Sequence, residues 1–198
     1  MKAFFKNYSY DMLKMFLNQF GTAIFGFSLA LSAKYAQSPV LLNATSVGAI
    51  LFYLFLLYAM TWDIGYRDRV AVESGRKPNA PLTGLWISLA ANAVNFLLAI
   101  FIMLGSLLET SFTSTLGAIG AFGAMFLEGM YVGLLANPVG GAPLNSYWWV
   151  YFLLPIPAML LSAITYNLGL RDVKFTSAFS SYVNETERER LQNKRRKR

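Results

Sequence analysis

The sequence predicts an all-α protein, a polytopic helical membrane bundle, and three observations carry that prediction. Of 198 residues, 56% are hydrophobic and only 14% are charged, against about 25% charged in a typical soluble domain. The charges crowd the ends: four lie in residues 1–14 and thirteen in residues 171–198, leaving ten for everything between. Five apolar segments follow one another along that middle, each near the roughly 20 residues a helix needs to cross about 30 Å of hydrocarbon. Backbone groups in lipid must be satisfied within the segment, so such stretches are helices. Spanning strands would need alternating segments of about ten residues, a pattern this chain lacks. Disorder, a collagenous repeat and a disulfide-built module are excluded. Residues 1–175 read as one transmembrane helical domain and residues 176–198 as a polar, basic cytoplasmic tail.

Residues 1–14, MKAFFKNYSYDMLK, mix aromatics with three lysines and suit a short interfacial helix at the headgroups. A signal peptide ending near Ala30-Leu31-Ser32-Ala33 is the competing reading, weakened by the late charges Asp11 and Lys14. Segment one then runs from Met15 to Ala33, and segment two, VGAILFYLFLLYAMT, from Val47 to Thr61. The longest central polar stretch follows, Asp63 to Pro81, with alternating charges that suit a solvated cytoplasmic loop or a docking surface for a partner such as a transporter ATPase. Segment three covers Leu82 to Leu108, segment four Phe112 to Ala136 and segment five Tyr147 to Leu170.

Lysine and arginine placement tests the topology. If all five segments cross, the 17 basic residues divide almost evenly between the two sides. If one segment after Lys77 fails to cross, sixteen fall on one side and only Lys34 on the other. That contrast favours four crossings over five, with both termini cytoplasmic in the cell membrane. Segment 112–136 is the candidate for a re-entrant or broken path. It carries Gly117, Gly120, Gly123, Gly129, Gly133 and Glu128, and the breaker run Asn137-Pro138-Val139-Gly140-Gly141-Ala142-Pro143 follows it. An ordinary fifth helix with tightly packed glycines is the alternative.

A short echo recurs 104 residues apart. Trp62-Asp63-Ile64-Gly65-Tyr66-Arg67-Asp68 and Tyr166-Asn167-Leu168-Gly169-Leu170-Arg171-Asp172 share aromatic, Asp/Asn, aliphatic, Gly, any, Arg, Asp. Both read as interfacial helix ends: a ring in the interface belt, Gly65 and Gly169 as left-handed caps, Arg67 and Arg171 reaching phosphate or helix carbonyls. Asp63, Asp68 and Asp172 complete the two copies. The echo fits an internal repeat of the kind found in transporters, or two helices that happen to end alike. Either way it puts both ends on one side.

Glu128 is the one carboxylate deep in an apolar stretch. A charge at the bilayer centre costs about 3 kcal/mol on insertion scales, so the group must face protein or water, or be protonated. Gly117, Ala121, Ala124 and Glu128 share one helix face, where small residues let another helix approach. Asn92 and Asn95 lie at i, i+3 in segment three with Ser88 a turn earlier. Asn18 and Gln19 belong to a partly polar stripe in segment one. Buried amides of this kind usually bond neighbouring helices, worth about 0.6–2 kcal/mol each. The sharper reading is a solute or ion pathway lined by Glu128, Asn92, Asn95, Asn18 and Gln19.

Cysteine and histidine are absent, so no thiol nucleophile, Cys/His metal site or histidine acid/base is available. No nucleotide-binding or hydrolase motif occurs, and no cofactor or metal is expected. A carboxylate dyad would need Glu128 to meet Asp11 or Asp63 from other segments, which the topology disfavours. An enzyme is thus the least favoured class. The expected function is transport-related, a permease-like component or the membrane subunit of a larger transporter. A non-catalytic scaffold or accessory subunit is the alternative. The partners expected are the bilayer, anionic headgroups at the basic tail and a membrane-protein or ATPase partner, with no specific nucleic acid.

Overall fold

The computed structural model describes residues 2–108 and 110–174; Glu109 and the basic tail 176–198 lie outside the described residues. The described residues form helices joined by short connections, with one hairpin of two two-residue strands. Its helices are α1 (Lys2–Tyr35), α2 (Pro39–Glu73), α3 (Thr83–Ala91), α4 (Ala93–Leu107), α5 (Ser111–Leu127), α6 (Val132–Leu135), α7 (Val150–Leu153) and α8 (Ile156–Leu170). Three stretches are long and apolar enough to cross a membrane, or up to five if each of two bent pairs counts as one span. In the most apolar window of α2 only 22% is buried against protein. Large side chains such as Leu51, Phe55, Phe122 and Ile164 therefore stand exposed.

α1 is one continuous helix, which corrects the expectation of a separate interfacial helix over residues 1–14. Its buried positions Tyr8, Met12, Met15, Gln19 and Ala23 recur at three- and four-residue intervals straight through the supposed junction, and Ala30 and Ala33 continue the same buried seam. The helix ends at a tight turn in which Gln37 takes a φ of 51°. Ser38 then caps α2 by accepting from the Leu41 N–H, with Pro39 at the first helical position.

α2 runs twelve residues past the apolar window, through Glu73, so residues 63–73 are helix rather than loop. Its buried face continues in step from Ser46, Ala49, Tyr53 and Leu57 to Ile64 and Asp68. Gly65 is consequently mid-helix and Gly169 sits in the last turn of α8, neither with a positive φ. The cap reading is replaced by close helix contact. A Cβ on Gly65 would lie 2.2 Å from the Tyr166 carbonyl oxygen, and one on Gly169 would lie 2.2 Å from the Trp62 carbonyl oxygen. The residues of the echo thus face their own counterparts. Thr61 and Thr165, also counterparts, share a hydrogen bond through their hydroxyls. α2 and α8 therefore cross side by side and parallel, related by a local two-fold.

Segments three and four are both broken. α3 and α4 meet at Asn92 with a bend of 52°, and α5 meets the following turn at Glu128 with a bend of 82°. α4 and α5 form an antiparallel hairpin, with Gly105 against Gly117 and Leu98 against Gly120 and Gly123. Beyond Glu128 a 3-10 turn, Gly129–Tyr131, and α6 pack on α1 and the first turns of α2. Gly129 meets Ala23 and Phe27, Gly133 meets Leu42 and Ser46, and the amides of Asn43 and Asn137 bond each other reciprocally at 3.1 and 2.8 Å. The breaker run becomes a hairpin, Pro138–Val139 with Ala142–Pro143. Gly140 and Gly141 supply the positive φ values of 62° and 90° that its two-residue turn requires.

These contacts define two poles. At one, the start of α1 meets the ends of α2 and α8: Arg67 reaches Asp11 at 2.8 Å and Arg69 reaches Asp172 at 2.8 Å. Pro81, just before α3, accepts from Asn167 there at 2.8 Å. At the other lie the α1–α2 turn, Asn43 and the hairpin. The path from α3 to the hairpin thus makes one net traverse from the first pole to the second. Among the described residues, the charged side chains belong to segments at the first pole, apart from Lys34 and Glu128.

Candidate functional site

Midway between the poles, the two helix breaks come together. Asn92 closes α3 and Glu128 closes α5, and both line one enclosed space with Gln19 of α1, Tyr53 of α2, Asn95 of α4 and Tyr131. The space is too narrow for a water molecule. Gln19, Asn92, Asn95 and Glu128 are 2–3% exposed, which makes every unpaired polar atom here costly.

Most of the amides are satisfied. Asn92 donates to the Ser88 carbonyl at 2.8 Å, its own Oδ1 accepts from Asn95 at 2.8 Å, and Gln19 donates to the Leu127 carbonyl at 3.0 Å. The last two bonds explain the breaks. Gln19 takes a carbonyl at the end of α5, and Asn95 bridges back across the α3–α4 bend, so side chains compensate for interrupted helix ladders. Among the described residues, two acceptors here are left without a partner, Glu128 Oε2 and Asn95 Oδ1, and no second carboxylate lines the space. Asp11 and Asp63 sit at the charged pole on Arg67, at 2.8 and 3.3 Å.

On its other side Glu128 borders a cavity of about 130 Å³, lined also by Ala124, Val132, Asn145 and Tyr151. That is room for several waters, and Asn145 places it toward the uncharged pole. Glu128 therefore stands between a wettable cavity and a dry polar cluster. Four of the five pathway residues read from the sequence meet here. Asn18 does not, since it lies one position round α1 and points its amide at the Met60 sulfur, 3.6 Å away.

The charged pole holds a second polar assembly. Asp68 accepts from Tyr8 at 2.5 Å, Tyr166 at 2.7 Å and Lys77 at 2.7 Å. Lys77 also touches the Tyr8 hydroxyl and lies 4.3 Å from its ring centroid. Beside it opens a cavity of about 310 Å³ lined by Asn7, Tyr8, Asp11, Arg67, Arg76 and Lys77, among others. Of the helix-end residues, Asp63, Arg67 and Asp11 form one ion-paired group. Arg69 joins Glu73 and Asp172 in another, and Arg171 stands exposed just beyond α8. Sequence reasoning missed Tyr8 and Tyr166. The only signal was Tyr166 as the counterpart of Trp62, which instead donates to the Val173 carbonyl at 2.8 Å.

In comparison with known proteins, no family model, curated protein or solved structure matches the chain.

Proposed function

We propose that this is a small integral membrane protein of the transport class, a permease-like component that crosses the bilayer with four net traverses. In this reading the charged pole faces the cytoplasm, in keeping with the excess of lysine and arginine there. Glu128 binds and releases a proton or a cation. The observation that carries it is Glu128 at the meeting of two broken helices, with one oxygen unpartnered and a wettable cavity on the side of the uncharged pole. Discontinuous helices near mid-depth are where transporters place coupling-ion sites. An isolated buried carboxylate costs several kcal/mol, so it must take up a positive charge, and the cavity supplies a route for one. Asn92, Asn95 and Gln19 supply amide oxygens and hydrogens that can re-pair when it arrives.

Reconstitution into liposomes with an internal pH dye tests this. Under an imposed gradient, the native protein should carry proton or cation flux and Glu128→Gln should reduce it at least tenfold. Flux that is absent, or indifferent to Glu128→Gln, would refute the assignment. The second reading, a non-catalytic scaffold or accessory subunit, is favoured by one observation: the polar space is closed to water on the Asn92 side. A stoichiometric partner after mild detergent extraction, with no flux, would select it. Catalysis is not part of the proposal, because among the described residues no second carboxylate and no basic side chain lines the space with Glu128.

A further inference from the structure

Beside the charged pole, the bend between α3 and α4 leaves a groove closed on its third side by the start of α1. It measures about 870 Å³, and all its lining side chains are apolar, including Phe4, Phe5, Trp86, Phe96, Leu97 and Ile100. Its size matches ordinary ligand pockets, roughly 300–1,000 Å³. It neighbours the charged cavity, from which the packed rings of Phe4 and Tyr8 separate it. Phe4 lines the groove and packs on Tyr8 with centroids 5.0 Å apart. Tyr8 in turn lines the charged cavity under Lys77.

The basic groups of that cavity are not equally occupied. Arg67 is held by Asp11 and Asp63, and Lys77 by Asp68. Among the described residues Arg76 makes only a bond from Nε to the Ser74 hydroxyl at 2.8 Å, which leaves the rest of its guanidinium fork for a phosphate. An apolar groove beside such a cavity, one ring pair away, has the outline of a single amphiphile.

We propose that the groove and the cavity together bind one anionic glycerophospholipid of the surrounding bilayer. Its phosphate lies against Arg76 and its acyl chains lie along Trp86 and Phe96. Trp86, in the first turn of α3 near the charged pole, suits the headgroup level. The charge complementarity distinguishes this site from the rest of the apolar surface, which would take any lipid. The inference rests on the helices lying in a bilayer, and failure of the protein to float with membranes would remove that reading first. A membrane-floated protein with no lipid selectivity removes this inference alone.

Native mass spectrometry of the full chain, purified in detergent and offered equal phosphatidylglycerol and phosphatidylcholine, tests it. One phosphatidylglycerol should be retained preferentially. Arg76→Gln should weaken retention about fivefold, the expected effect of one basic group near anionic lipid. Ala93→Trp, which fills the groove from an exposed position, should abolish it while the unfolding midpoint stays unchanged. Millimolar glycerol phosphate should not displace the lipid. Equal retention of the two lipids, wild-type retention by both variants, or displacement by glycerol phosphate alone would overturn the proposal. So would a dimer cross-linked through Ala93→Cys, which would make the groove a protein interface.

Discussion

Replacing Gly65 or Gly169 by alanine is expected to cost about 3 kcal/mol or more in each case, near the top of the range for overpacking. At both positions the new methyl would meet a backbone carbonyl oxygen at 2.2 Å, and the obstacle belongs to the partner helix. No rotamer change relieves it, so α2 and α8 must separate along their shared face. Separation also breaks the Thr61–Thr165 contact and loosens Tyr166 from Asp68. Gly21 and Gly48 are internal controls, because a Cβ there meets nothing within 4 Å. Alanine at those helical positions should be neutral or stabilising by up to about 1 kcal/mol, the ordinary gain in helix propensity. Denaturant titration of the purified protein in detergent, followed by circular dichroism, should therefore separate the two pairs. If Gly65→Ala unfolds with the midpoint of Gly48→Ala, the close crossing is wrong.

Asp68→Ala is expected to cost about 3 kcal/mol, the lower end of the range for breaking a buried ion pair, since Lys77 keeps some contact with solvent. The carboxylate is the shared acceptor for Tyr8, Tyr166 and Lys77, which arrive from α1, α8 and the loop after α2. Without it an ammonium and two phenols are left around an apolar methyl. Asp68→Asn keeps an acceptor for the phenols and loses the charge, so it should fall between the native protein and alanine. The damage should also be local. Hydrogen exchange should rise first in residues 2–11 and 74–82, which the cluster ties to the bundle. An Asp68→Ala protein with the native midpoint and native exchange in those stretches would show that the cluster contributes nothing to stability.

The helical segments were legible because apolar residues recur over lengths that only helices can use. The broken path of segment four was legible too, since five glycines and Glu128 precede a run of turn residues. The lost information is mostly of two kinds. Local pattern ends where hydropathy ends, yet α2 continues through Arg67, Arg69 and Glu73 because its buried seam does. Gly65 was misread for the same reason: a glycine near arginines looks like a helix end, and only the partner helix shows it as a contact point. The second kind is distance. Tyr8, Asp68 and Tyr166 are 60 and 98 residues apart, and no spacing rule joins them. The bend at Asn92 was hidden as well, since Ser88, Asn92 and Asn95 read equally well as one stripe on an unbroken helix. Glu128, Asn92, Asn95 and Gln19 were singled out together because polar groups in apolar segments must find one another.

In the proposed topology the charged pole lies on a single side of the membrane, with an even number of traverses between its ends. The chain has no cysteine, so single cysteines can be placed at exposed positions 6, 37, 146 and 174 and probed with a membrane-impermeant maleimide in intact cells. Lys6→Cys and Lys174→Cys should resist labelling until the membrane is opened, while Gln37→Cys and Ser146→Cys label at once. Labelling of positions 6 and 174 from opposite sides would contradict the four-traverse arrangement and the placement of Glu128 that depends on it.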